Sequence, residues 1–444
     1  MEVPVQPAQN YFQRNRVFFK GIAIGFLMLI MLIPTAFVNS LVYERKMRQQ
    51  EIVGEVSSKW ATAQRLSGPY LSVPYDHVTL LNDNKTETVK KNFFILPETL
   101  DVNGTIEHEI RKRSIYSVLL YKANLKYIGG FAIRLPEGVD SMNIRWKEAK
   151  LCFNLSDFRG IEEKIVVNFK GKEYELAPGV PSEYFGTKGL SVPVELSGQD
   201  ISSIISFGTR MKIKGSEDIN FVPLAGNSRF KITSVWPSPS FTGSVVPSDR
   251  AVSDSGFTAN WKFNKANLPF NTVIVDNNKE ADFDFDFGIT LLQPTDQYAK
   301  TERCTKYAIL FIGLTFGLFF IVEITRKKPV HPIQYILVGL ALAIFYTLLL
   351  SISEFIHFDI AYLISAVAVV TMITLYSRQL FKNNRSSLLT ATILTLLYSF
   401  IFVLIRLEDT ALLVGSIGLF IVLGIVMYSS RKIDWYGTAA LEKS

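Results

Sequence analysis

The chain has 444 residues, 48% of them hydrophobic, with a formal net charge of +7 and two cysteines, Cys152 and Cys304. That length leaves room for more than one domain. Two cysteines allow at most one disulfide and exclude a disulfide scaffold. No basic stripe interleaved with aromatics and no nucleic-acid motif accompanies the positive charge, so nucleic acid is excluded as the partner.

The N-terminal segment carries Arg14, Arg16 and Lys20 and then an apolar run over 21–38. Roughly 20 apolar residues suffice to cross a hydrocarbon core of about 30 Å at 1.5 Å per residue. Val38-Asn39-Ser40 is a weak cleavage site, and the apolar core is longer than a usual signal peptide's, which favours an uncleaved anchor. A helical stalk is expected from Leu41 to about Arg65, with Val53, Val56 and Trp60 at helical spacing, ending at Ser67-Gly68-Pro69.

Beyond the stalk come short β-like runs punctuated by Gly, Pro and Asn, at 70–75, 93–96, 115–120, 131–135, 165–169, 230–235, 257–261 and 272–275. Asn103-Gly104 is a hairpin-turn signal. The expected domain is large and mainly antiparallel β; a sandwich, a barrel and two subdomains all fit the pattern. Asp282-Phe283-Asp284-Phe285-Asp286-Phe287-Gly288 resembles a calcium loop, but Phe287 stands where an EF-hand loop needs glycine. Strict alternation favours a strand with Phe inward and Asp outward.

Five further apolar runs follow, over 307–322, 333–350, 360–376, 388–405 and 411–428, and like the first none contains Asp, Glu, Lys, Arg or His. The predicted fold class is a membrane bundle of six transmembrane helices with a large mainly-β periplasmic domain inserted between helices 1 and 2. The predicted divisions are a cytoplasmic tail 1–16, transmembrane helix 1 over 17–43, the periplasmic β-rich domain with its stalk over 44–302, a five-helix bundle over 303–430 and a cytoplasmic tail 431–444.

Loop charge predicts orientation. Arg326, Lys327 and Lys328 follow the second span, Arg378, Lys382 and Arg385 the fourth, and Arg431 and Lys432 the sixth. The alternate loops carry acids, which puts both termini in the cytoplasm and the large domain outside. Glu44, Arg45, Lys46 and Arg48 lie on the outer side against the rule, before a long translocated segment where the rule loses force.

Catalytic signatures are missing. His77, His108, His331 and His357 show no metal-ligand spacing, and there is no nucleophile elbow, P-loop or dinucleotide fingerprint. No enzyme activity, cofactor or metal is expected. Uncharged spans argue against an ion or proton carrier, which usually keeps ionisable groups inside. Small residues at four-residue spacing, Gly313/Gly317, Ala361/Ser365 and Ala411/Gly415, suit helix contacts within the chain or a homodimer face. Asp296, Glu302, Arg303 and Lys306 precede the second span; Glu354, His357 and Asp359 share one outer turn, and Arg406, Glu408 and Asp409 the other. Short outer turns are polar in general. The sharper expectation is an interaction patch formed by Asp296, Glu302, Arg303, Glu354, His357, Asp359, Arg406, Glu408 and Asp409, with His357 its titratable member.

At these residues the chain resembles the CreD family of inner-membrane proteins. The resemblance is carried by Leu291-Leu292-Gln293-Pro294-Thr295-Asp296-Gln297-Tyr298, Thr301-Glu302-Arg303, His331-Pro332-Ile333-Gln334-Tyr335, Leu407-Glu408-Asp409 and Arg431-Lys432-Ile433-Asp434-Trp435-Tyr436. Gly68-Pro69-Tyr70-Leu71-Ser72-Val73-Pro74-Tyr75 and Trp236-Pro237-Ser238-Pro239-Ser240-Phe241 extend it into the large domain. It implies a bacterial inner membrane location, a role in cell envelope integrity or envelope stress, and no catalytic residues to carry over. The expected function is binding through the periplasmic domain, with the lipid bilayer and a periplasmic protein or envelope component as partners. An envelope-modifying hydrolase or transferase is the alternative.

Overall fold

The computed structural model describes residues 16–80, 86–276, 285–291, 297–326, 328–407 and 410–430. The chain forms two compact units, Met1–Gln49 with Thr295–Ser444, and Gln50–Pro294.

The helical unit begins with α1 (Arg16–Ile30) and α2 (Leu32–Trp60), separated at Met31; α2 continues past Gln49 into the second unit. After the β unit come α3 (Gln297–Lys306), α4 (Ala308–Arg326), α5 (Pro332–Ser353), α6 (Phe358–Phe381), α7 (Asn384–Arg406) and α8 (Ala411–Ser430). Local chemistry sets several ends. His331 caps α5 in a reciprocal box with Gln334, with Pro332 at the first helical position. Asn383 caps α7, and α6 stops where Lys382 turns left-handed. Among the described residues, 5 helices are long and apolar enough to cross a membrane; α8 contributes a shorter apolar stretch, Ala411–Ile425. One small residue works as expected: a Cβ on Gly313 would lie 2.7 Å from the Met28 side chain of α1, whereas Gly317 faces no atom within 4 Å.

The strands are β1 (Gln64–Leu80), β2 (Thr86–Ile95), β3 (Thr99–Arg113), β4 (Tyr116–Ala132), β5 (Lys150–Leu155) and β6 (Val166–Phe169). Next come β7 (Lys172–Glu175), β8 (Ala177–Pro178), β9 (Gly189–Pro193), β10 (Ile204–Ser216), β11 (Asp218–Val222) and β12 (Asn227–Ser234). The last are β13 (Pro239–Gly243), β14 (Asp249–Ser253), β15 (Gly256–Phe263), β16 (Val273–Val275) and β17 (Phe287–Leu291). One sheet has 9 strands along the path β13-β17-β11-β1-β5-β9-β8, with β2 on β1 and β16 on β2. The other has 8 strands in the order β14-β15-β12-β3-β4-β10-β6-β7. Pairing is antiparallel except for β1 with β11 and β3 with β12.

Both sheets contribute to one core, in which Leu71, Phe93, Val102, Leu125, Phe230, Trp261 and Phe287 are buried together. The 9-stranded sheet is also covered on its other face, where Tyr70, Phe94, Cys152 and Phe185 form a second cluster. The 8-stranded sheet is buried on one side only, and β3, β4 and β10 alternate buried and exposed positions over most of their lengths.

Two expectations need correction, and a third is borne out only in part, with Phe285 and Phe287 packed on the core. The stalk helix ends at Trp60, and β1 runs through Ser67-Gly68-Pro69, which is a bulge where β1 shifts register against β5. Asn103-Gly104 is not a turn but the middle of β3, where a Cβ on Gly104 would lie 2.7 Å from Ile232 and 2.8 Å from Leu125. The hairpin is instead closed at Ser114 and Ile115, with Ser114 at φ 57. In the Asp/Phe run, β17 starts only at Phe287; Phe285 and Asp286 precede it, and Asp282, Phe283 and Asp284 lie outside the described residues.

Candidate functional site

The expected outer patch falls within the helical unit. Asp296, Glu408 and Asp409 lie outside the described residues. Asp359 sits in the first turn of α6 and Arg406 at the end of α7, each at the helix pole that favours its charge. They form an ion pair joining the two helices, and His357 Nδ1 lies 3.7 Å from the same carboxylate oxygen. Glu354, which caps the end of α5, accepts from the Tyr298 hydroxyl at 3.4 Å and lies 3.6 Å from Arg45 of α2. Glu302 of α3 lies 3.8 Å from Lys46 of α2 and 3.3 Å from Lys306. Arg303 is its neighbour on α3.

Five of the nine expected residues thus resolve into two arrangements. One groups His357, Asp359 and Arg406. The other ties Glu354 and Glu302 to the adjacent cations Arg45 and Lys46. Those cations, which follow the first apolar run, are held in ion pairs. A groove of about 720 Å³ between α6 and α7 has Asp359 at one end and is otherwise lined mainly by apolar side chains such as Leu363, Val367 and Phe402.

The sequence reading missed a second polar centre. Lys20 of α1 pairs with Glu323 of α4 and donates to the Val330 carbonyl at 2.8 Å. Glu323 also accepts from the Val330 N–H at 3.0 Å and the Tyr335 hydroxyl at 2.9 Å, and it is only 6% exposed. Lys20 and Glu323 each stand one residue outside an apolar run, before Gly21 and after Val322. The available signal was a lone acid among Arg326, Lys327 and Lys328.

In the β unit, Cys152 is buried, and burial pushes its thiol up to about 12. Such a thiol is protonated at neutral pH and is a poor nucleophile. Both cysteines are free and buried. Asp157 organises the junction after the stalk: Thr62 donates to it through N–H and hydroxyl, both at 3.0 Å, and Arg159 approaches to 2.7 Å. The Arg159 guanidinium, helped by the Thr62 N–H and against partial desolvation, holds this carboxyl well below the usual carboxylate range. The Trp60 ring lies under Arg111 at 4.0 Å and Lys214 at 4.5 Å. Among the described residues no group of three or more His, Cys, Asp or Glu could hold a metal ion.

Apolar helices of spanning length that carry a large two-sheet β unit after the first of them define a membrane-anchored protein with an appended β domain. A family model described as "Inner membrane protein CreD" matches residues 16–436. The chain is 31% identical over 427 residues to the Inner membrane protein CreD of Escherichia coli (strain K12), covering 95% of this chain and 94% of that protein. The chain belongs to the CreD family of inner membrane proteins.

Proposed function

We propose that this protein crosses the inner membrane six times, with both termini cytoplasmic and the β unit in the periplasm, and that it serves cell envelope integrity by binding. The loop charges on alternate sides of the spans support the orientation. Reporter fusions after residues 150 and 380 test it, with the first expected on the exported side and the second in the cytosol; either on the other side overturns the orientation.

The observation that carries the binding reading is the open face of the 8-stranded sheet, a broad solvent-exposed surface on a domain whose other sheet is covered on both sides. The protein acts without catalysis; the protonated, buried Cys152 accords with that. A photo-reactive residue at Asn124 on β4 tests the reading in intact cells. Capture of a discrete partner is expected, and nothing above background overturns it.

The patch of Asp296, Glu302, Arg303, Glu354, His357, Asp359, Arg406, Glu408 and Asp409 is a docking surface in this proposal. Single alanine replacements of Glu354, Asp359, Glu408 and Asp409 are expected to impair envelope function at normal protein levels. Unchanged function at unchanged levels removes the patch from the proposal.

A further inference from the structure

The open face of the 8-stranded sheet carries charge in an arrangement that does not favour folding. On β4 and β10, Lys126 stands directly opposite Arg210 and Lys122 opposite Lys214; on β12 and β15, Arg229 stands opposite Lys262. Like charges directly opposite destabilise an antiparallel pair.

Two of these pairs have compensation within the protein. Lys122 lies 3.5 Å from Glu162, and Lys214 lies over the Trp60 ring. Arg229 lies 3.4 Å from Asp101. The central pair has none: among the described residues Lys126 and Arg210 form no salt bridge, nor does Lys231. The register sets these three in one row. Lys231 is beside Asn103, Asn103 beside Lys126, and Lys126 beside Arg210. At about 4.8 Å between strands the row is roughly 14 Å long. The next row holds Thr233, Thr105, Asn124 and Lys212. Exposed aliphatic side chains flank the rows, Ile128 on β4 and Val166 on β6.

We propose that this row is a binding site for an extended glycan bearing phosphate groups. Uncompensated cations in a line fit an anionic polymer better than a small ligand in a pocket. Arginine matches phosphate oxygens bidentately and lysine meets them as a point charge. The intervening amides and hydroxyls of Asn103, Asn124, Thr105 and Thr233 can hydrogen-bond sugar hydroxyls. A bilayer surface is the competing partner, since Ile128 and Val166 are exposed on the same face, and the vesicle arm of the test decides between the two. The site names the partner class of the binding role proposed above and rests on it.

The test uses the full-length protein in phosphatidylcholine nanodiscs, with fluorescent yeast phosphomannan as probe and neutral mannan as control. Phosphomannan is expected to bind more weakly as salt screens the cations. Lys126→Gln/Arg210→Gln should weaken binding by about tenfold or more, as expected for loss of two charge-assisted contacts. Lys147→Gln/Lys188→Gln, which removes the same charge elsewhere, should stay within about twofold. Lys126→Arg should bind as the unaltered protein does, and the thermal midpoint of the glutamine double variant should not fall, because it removes a repulsion. Absence of phosphomannan binding, equal binding of neutral mannan, or undiminished binding by the glutamine double variant overturns the proposal. So does equally tight binding to vesicles of phosphatidylglycerol and phosphatidylcholine in equal parts that depends on the same two residues. Capture of another partner by crosslinking, with no phosphomannan bound, rejects the glycan alone and leaves the binding role standing.

Discussion

Lys20 and Glu323 are 303 residues apart in the chain, yet they form one ion pair at an end of the helical bundle. The pair joins α1 to α4, and the Tyr335 hydroxyl and the Val330 N–H also donate to the carboxylate. A buried pair of this kind stabilises only while both partners and their hydrogen bonds are present. Glu323 is buried, whereas Lys20 is partly exposed and keeps its bond to the Val330 carbonyl when the acid is removed. Glu323→Ala, which leaves the Tyr335 hydroxyl and the Val330 N–H without their acceptor, should therefore cost about 1–3 kcal/mol of unfolding free energy in detergent. Lys20→Met combined with Glu323→Gln should cost less than Glu323→Ala alone. A cost for the double variant equal to or above that of Glu323→Ala would mean that the two side chains are not coupled.

The ion pairs at Glu302, Glu354 and Asp359 should behave differently, because their cations are substantially exposed. Exposed pairs contribute about 0–1 kcal/mol. Arg406→Ala and Lys46→Ala should each leave the thermal midpoint within a few degrees of the unaltered protein. A large drop in the midpoint would reassign these residues from interaction to folding.

Asp157 should make stability depend on acidity. Its carboxyl binds a proton less tightly in the folded chain than in the unfolded one, because Arg159 and Thr62 favour the ionised form. The stabilisation is complete above the ordinary aspartate pKa of about 3.9 and is lost as pH falls below it. Asp157→Asn should lower stability at pH 7 by about 1–3 kcal/mol. It should also flatten the acid limb of the stability profile, measured by urea unfolding between neutral and acidic pH. An unchanged acid limb would exclude Asp157 as its source.

Gly104 tests the architecture directly. Ile232 and Leu125 occupy the space that a side chain would need. Gly104→Val should overpack the core by about 1–3 kcal/mol, whereas a substitution in a solvent-facing turn would cost much less.

Cys152 should resist modification. Burial keeps its thiol protonated, so maleimide labelling at neutral pH should be slow in the folded protein and fast in denaturant. Rapid labelling of the native protein would contradict the packing of the Tyr70, Phe94 and Phe185 cluster.

Much of the layout was legible in the residues. Runs such as 333–350 are apolar throughout and long enough to span, and hydrocarbon selects for those two properties without regard to the rest of the chain. Strand texture around 70–75, 230–235 and 257–261 was visible because alternation and β-branched or aromatic content are local. Asn103-Gly104 misled for the same reason. A dipeptide that favours a turn was used for the space that glycine leaves under Ile232, and only the neighbouring strand reveals that.

The sequence by itself determined that this chain enters membranes and carries a β-rich domain between its first and second apolar segments, because length and periodicity of hydrophobicity are properties of contiguous residues. Only the tertiary structure decided that Lys20 meets Glu323, that one sheet is covered on both faces and the other on one, and that Lys126 stands opposite Arg210. Those facts depend on which distant segments pair and in what register, and pairing is fixed by packing across the whole core.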